Sequence, residues 1–126
     1  MDKRIINTSK APAPIGPYNQ ATISNNLLFI SGQIAINPTT NELVTADISV
    51  ETHQVMRNLF EILDEAGINF NHVVKTTIFL KDMSLFSQVN EIYGSYFSAH
   101  YPARETIAVK GLPKDVNVEI SMIATL

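Results

Sequence analysis

The segment Leu27-Leu28-Phe29-Ile30 is apolar at every position. In a strand, successive side chains alternate between faces, so a strand of this kind has to bury both of them. Val73 to Leu80 repeats the pattern, with Val73 and Phe79 read as facing one way and Val74, Ile78 and Leu80 the other. A sheet with one wet face would alternate apolar with polar residues instead. Only two helices can be read in the chain, and two helices cover one face of a sheet this wide. The second face needs another cover. The reading that follows is a homo-oligomer whose sheets pack on one another, with closed cyclic symmetry.

The remaining elements fit that frame. Arg4 to Asn7 can form a short first strand. Lys10 to Pro17 carries Pro12, Pro14 and Pro17 with Gly16, a stiff extended loop that is neither helix nor central strand. Tyr18 to Ile23 and Leu27 to Gln33 read as two strands of a hairpin around Ser24-Asn25-Asn26. A polar loop, Asn37 to Glu42, follows. Val55, Met56, Leu59, Ile62, Leu63 and Ala66 then recur at helical spacing, with Arg57, Asn58, Glu61, Asp64 and Glu65 on the other side. Ser49 is placed to cap this helix and Gly67 to end it. Val73 to Leu80 is a strand. A second helix is expected from about Ser84 to Ser98, its stripe made by Phe86, Val89, Ile92, Tyr93, Tyr96 and Phe97. Two short strands, Thr106 to Val109 and Val116 to Met122, close the chain. The order predicts one α+β domain over residues 1–126, a mixed sheet with both helices on one face.

Bulk composition narrows the functional classes. A net charge of -3 leaves no basic footprint, so no nucleic-acid partner is expected. No apolar stretch approaches the roughly 20 residues that span a bilayer, and the N-terminus lacks the apolar core of a secretory signal. A cytoplasmic protein without membrane attachment is the expectation. The chain has no cysteine, which removes disulfides, thiol nucleophiles and thiolate-bound metals from consideration. His53, His72 and His100 are scattered without metal-ligand spacing, so no metal is expected.

Arg104 and Glu119 are the most informative pair of polar residues. The link Lys110 to Asp115 is short and turn-rich, so the two closing strands are expected to pair as an antiparallel hairpin that brings the two side chains together at one end. An ordinary ion pair on a sheet face is one reading. A site for a small carboxylate is the other: a planar cation grips the acid, and Glu119 handles a water or a proton. With Val116, Val118, Ile120 and Met122 facing the helices, Asn117, Glu119 and Ser121 face the subunit contact. A carboxylate there needs a partner, and Arg104 can supply it from the same subunit or a neighbour. Gly32 is either a bulge glycine or a point of close backbone approach to a ligand. Tyr18 is either a core aromatic or a phenol aimed into a cleft. Asn90 lies beside the apolar stripe of the second helix.

Five segments occur in one order along nearly the whole chain: Ile15-Gly16-Pro17-Tyr18, Ser31-Gly32-Gln33, Asn90-Glu91-Ile92-Tyr93, Pro102-Ala103-Arg104, and Leu112-Pro113-Lys114-Asp115-Val116 through Glu119-Ile120. Together they resemble the RidA/YjgF family of reactive intermediate deaminases. The resemblance implies a chorismate-mutase-like α+β fold, a homotrimer that buries the second sheet face, and sites in the clefts between subunits. It implies hydrolysis of 2-imino acids such as 2-iminopropanoate and 2-iminobutanoate to 2-keto acids and ammonia, with no cofactor. It further implies a functional link to pyridoxal-phosphate-dependent dehydratases, which release such imines. On this resemblance Arg104 would hold the substrate carboxylate and Glu119 would position the attacking water. Tyr18, Ser31, Gly32, Asn90 and Thr106 would line the cleft.

Glu105-Thr106 departs from the family's usual Ser-Cys, and Lys110-Gly111 from its usual Ala-Arg. Glu105 places a charge beside the anion-binding arginine, although on a strand it should point to the opposite face. The competing function is a non-catalytic module of the same fold that binds small carboxylates or a protein. RNA cleavage, also linked to the family, is disfavoured by the acidic balance.

Overall fold

The computed structural model describes residues 2–126. Eight strands and two α-helices follow the order β1 (Arg4–Ile6), β2 (Ala21–Ser24), β3 (Leu27–Gln33), β4 (Ile36–Asn37), β5 (Glu42–Leu43), α1 (Ile48–Glu65), β6 (Val73–Leu80), α2 (Phe86–Gly94), β7 (Ala103–Ala108) and β8 (Val118–Thr125). Six strands form one mixed sheet in the order β1-β2-β3-β8-β6-β7, while β4 and β5 make a separate small hairpin. The polar loop at 37–42 is the turn of that hairpin, with Asn41 in the left-handed region at φ 60°.

Helix α1 forms where the 3.6-residue period places it. Its start is capped by Asp47, whose Oδ1 accepts from the Val50 N–H at 2.9 Å, and not by Ser49, which lies inside the first turn. Its end is a full Schellman arrangement: Gly67 at φ 79° donates to the Asp64 carbonyl (2.9 Å), and Ile68 donates to that of Leu63 (3.0 Å). Asn25 and Asn26, both at positive φ, make the tight turn between β2 and β3. Helix α2 is shorter than its apolar stripe suggests. Asp82 accepts from the Ser84 N–H and starts a single 3-10 turn over Met83–Leu85, and after Gly94 the chain runs through turns that still bury Phe97.

Both helices cover one face of the sheet. Ile23, Leu28, Ile30, Ile78, Leu80, Val118, Ile120, Met122 and Ala124 from the strands meet Val55, Met56, Leu59, Ile62, Leu63, Val89 and Tyr93 from the helices in one cluster. Val73 joins that core with Ile78 and Leu80, whereas Val74 is exposed. A bulge between Val73 and Lys75 resets the alternation and reverses the facing expected from an unbroken strand. The other face carries Phe29, Ser31, Thr77, Phe79, Glu105, Ile107, Glu119, Ser121 and Ile123. In the isolated chain it is open, with Phe29 at 42% and Ile107 at 45% exposure.

The closing strands are not a hairpin. β7 pairs with β6 in parallel, and β8 pairs with β6 in antiparallel from the other side. A parallel pair requires a crossover, and α2 provides it. The link from β7 to β8 then passes over the end of β6. It is tied there by the Val109 N–H to Leu80 carbonyl and Lys81 N–H to Asn117 carbonyl bonds, each 2.9 Å. Lys114 and Asp115, at φ 54° and 57°, turn the chain back.

Candidate active site

Arg104 pairs across β7 with Thr76, and Glu119 pairs across β8 with Phe79. Thr76 and Phe79 are three residues apart on β6, so their side chains, and those of their partners, point to opposite faces of the sheet. Arg104 lies on the helix side and Glu119 on the open side. Within one chain they do not pair: the ion pairs among the described residues are Lys75–Glu105 and Lys81–Asp115. The expectation that one subunit brings them together in a hairpin is therefore corrected, because β6 runs between their strands.

The cationic half is built by α2. The Arg104 Nη1 donates to Asn90 Oδ1 at 2.7 Å. The guanidinium sits 5.2 Å from the ring centre of Tyr93 and 5.7 Å from that of Phe86, within cation–π range. Tyr93 is itself fixed, its hydroxyl donating to Thr76 Oγ1 at 2.9 Å. Burial pushes the Tyr93 phenol up, against opposing pulls from Thr76 and the Arg104 charge. The guanidinium is thus aimed by packing while only one of its five N–H donors is taken by a side chain, which leaves the fork able to take a carboxylate. It lines a cleft of about 480 Å³ with Asn90, Tyr93, Tyr101 and Pro102. Thr106, two residues on and on the same face, has a buried hydroxyl without a hydrogen-bond partner. Glu105 points the other way, accepting from Thr77 Oγ1 at 2.9 Å and pairing with Lys75 at 3.2 Å. Those two partners hold its carboxyl below the usual range.

The acidic half is built from backbone irregularities. Between the Ile30–Met122 and Gln33–Ile120 pairs the register slips, so Ser31 and Gly32 together oppose Ser121. The bulge turns Gly32 toward Glu119. A Cβ at position 32 would overlap the Glu119 carboxyl, lying 2.8 Å from its Cδ. Gly32 is therefore a bulge glycine, and the group that comes close to it is the Glu119 side chain. Ser31 is anchored by its Oγ donating to the Asn19 carbonyl (2.7 Å) and its N–H donating to the Gln20 carbonyl (2.9 Å). Tyr18, 48% exposed, is no core aromatic. With Ser31, Gly32, Glu119, Ile15 and Pro113 it lines a cleft of about 420 Å³. Burial raises the Glu119 carboxyl above its ordinary value.

Of the seven residues singled out from sequence, Arg104 and Asn90 line the first cleft, Thr106 shares the sheet face of Arg104 without lining that cleft, and Tyr18, Ser31, Gly32 and Glu119 line the second. Three supporting residues escaped the sequence reading. Gln20 is buried, and its amide ties down the proline-rich loop: Nε2 donates to the carbonyls of Thr8, Ala11 and Pro12 (3.0, 3.2 and 2.8 Å), and Oε1 accepts from the Thr8 N–H (2.6 Å). Glu51 is fully buried. It accepts from the Asn117 N–H (2.7 Å), Asn117 Nδ2 (2.7 Å) and the Val118 N–H (3.2 Å), fixing the strand start just before Glu119. Asn58, expected on the polar side of α1, is buried and donates to the carbonyls of Ile34 (3.1 Å) and Ile36 (3.0 Å). The signal for Glu51 was available, since it falls on the Val55–Leu59–Ile62 stripe of α1, where an acid without a partner would not be tolerated.

A family profile described as endoribonuclease L-PSP matches residues 8–126. The chain is 50% identical over 122 residues to a RutC family protein of Pyrococcus horikoshii, covering 97% of each. It is 44% identical over 122 residues to the 2-iminobutanoate/2-iminopropanoate deaminase of Homo sapiens, covering 97% of this chain and 89% of that one. The crystal structure of RidA from the Antarctic bacterium Psychrobacter sp. shares its fold, with a TM-score of 0.94 at 39% identity over 98% of this chain and 99% of that one. The mixed sheet with two helices on one face is the fold of these proteins.

Proposed function

This chain belongs to the endoribonuclease L-PSP family, which includes the RidA/YjgF proteins, and on that premise we propose that it hydrolyses 2-imino acids such as 2-iminopropanoate and 2-iminobutanoate, with their enamine forms, to 2-keto acids and ammonia. The observation that carries this reading is the separation of the two halves. An arginine with open donors and a carboxylate raised by burial lie on opposite faces of one sheet, each beside its own cleft. A second copy whose open face meets the β7–α2 edge of the first joins them, and a closed ring of three copies does so three times. The apolar side chains on that face favour such burial.

In the joined cleft the Arg104 fork holds the substrate carboxylate with two parallel hydrogen bonds, and the Thr106 hydroxyl donates to the substrate. Ionised Glu119 takes a proton from a water as the water oxygen bonds to the iminium carbon, giving a neutral carbinolamine. Glu119 returns that proton to the nitrogen, the C–N bond breaks, and ammonia leaves as Glu119 takes the hydroxyl proton and the hydroxyl oxygen becomes the keto oxygen. A protonated imine is already electrophilic, so positioning and one base suffice.

The enzyme would work in the cytoplasm beside pyridoxal-phosphate-dependent dehydratases, which release its substrates. RNA cleavage, which the family's description names, draws no support from 9 basic against 12 acidic side chains.

The test couples a threonine dehydratase to the protein and follows keto-acid release. Acceleration is expected. Arg104→Ala and Glu119→Gln subunits, each strongly impaired alone, should regain activity when unfolded and refolded together, because some clefts then hold both intact groups. Saturable keto-acid binding without acceleration would instead mark a binding module, and failure of the mixed subunits would refute a site shared between copies.

A further inference from the structure

Apart from both halves of the proposed site, a third cavity of about 370 Å³ lies between α1, the loop at 9–10 and the turn at 37–39, lined by Lys10, Asn37, Thr39, Arg57 and Glu61 among others. Glu61 Oε2 is shut off from solvent and has no hydrogen-bond partner. A buried carboxylate oxygen without a donor is costly. The neighbouring amide of Asn58 cannot supply one, because both its N–H groups are taken by the carbonyls of Ile34 and Ile36. Its Oδ1 already accepts from Gln54 Nε2 at 2.9 Å. Arg57 stands one turn before Glu61 on the same helix, and Lys10 lines the cavity from the loop. Among the described residues neither is in an ion pair. One cleft therefore presents an acid and two bases that do not neutralise each other.

We infer that this cavity binds a free α-amino acid as its zwitterion, the ammonium donating to Glu61 and the carboxylate accepting from Arg57 and Lys10. A diamine would face the two cations and a dicarboxylate would face Glu61, whereas a zwitterion offers one charge of each sign to a lining that carries both. The volume lies near the small end of the roughly 300–1,000 Å³ usual for ligand sites. Ser9, Asn37 and Thr39 give the wall a polar character that suits a hydroxylated side chain. The cavity also shares a wall with the acidic half: Asn37 lines the one, and Ile34 and Ile36 of the same stretch line the other.

Titration of the 15N-labelled full chain with L-serine, N-acetyl-L-serine and L-serine methyl ester, read by amide chemical shifts, tests this independently of the deaminase reading. Saturable shifts are expected at Lys10, at residues 37–39 and at Arg57 to Glu61 with free serine only. Glu61→Gln should weaken that binding by about tenfold or more. The inference falls if no saturable shifts occur there, if they centre on Tyr18 or Arg104, if either blocked serine binds as well, or if Glu61→Gln binds equally. Should that variant not fold, the blocked ligands on the unaltered protein decide alone.

Discussion

The two halves of the candidate site solve the same problem, holding a charged group still, by different means. The cationic half relies on side chains. Phe86 and Tyr93 from α2 lie near the guanidinium, Asn90 takes one donor, and Thr76 on β6 fixes Tyr93. The acidic half relies on backbone: a bulge, a glycine without a Cβ, and a strand start clamped by Glu51. The difference teaches where each half is vulnerable. Altering the first means removing a partner, whereas altering the second means adding an atom.

The largest expected effect comes from the cation itself. Arg104→Ala should lower kcat/KM for 2-imino acids by about a hundredfold, the loss of a charge-assisted double contact, with little change in thermal midpoint. Arg104→Lys should recover only part of it, since a point charge does not replace a fork. Full recovery in the coupled dehydratase assay would mean that charge alone matters there.

Next is Gly32→Ala. Its new methyl meets the end of a flexible side chain, so the fold should survive while Glu119 is displaced. About tenfold or more should be lost from kcat, in keeping with a misplaced general base. Unaltered kcat with an unaltered melting curve would break the contrast drawn between the halves.

A pH series sharpens it further. Burial raises Glu119 above its ordinary 4.5. Its ionised form grows in only above that raised value, so kcat/KM should climb as pH rises through it. Stability runs the other way. The folded chain keeps the proton to higher pH than the unfolded chain, so the contribution is complete below the unfolded value and is lost as pH rises through the folded one. Urea unfolding should show the unaltered protein weakening relative to Glu119→Gln across that window, and parallel curves would contradict the raised value.

The smallest effect is expected from Glu105→Gln. This carboxylate faces Lys75 and Thr77 across the sheet from Arg104, so kcat/KM should change by about twofold at most, as for a screened surface charge. A large gain would show that Glu105 does oppose the substrate.

Much of this was legible from the chain alone, where local periodicity governs. The stripe from Val55 to Leu63 and the stop at Gly67 define α1, and the alternation of Val116, Val118, Ile120 and Met122 fixes which side of β8 is buried. What was not legible depends on partners distant in sequence. Nothing in Lys110 to Asp115 distinguishes a hairpin turn from a passage over the end of β6, because β6 itself decides which strand pairs where. The reversal at Val73 and Val74 stems from a bulge against β8, which no period within β6 announces. Arg104 and Glu119 each border a cleft, yet the face each occupies follows from the parallel pairing of β6 with β7, a product of tertiary packing.

The Gln20 tether has a consequence for how the acidic cleft responds to its surroundings. Residues 8–12, whose far end borders that cleft, hang on a neutral amide buried at 2% exposure. An uncharged fastener neither titrates nor feels ionic strength. The rim therefore keeps one shape across the very range of acidity in which the carboxyl beneath it gains or loses its proton, so that chemistry can switch there without the doorway moving.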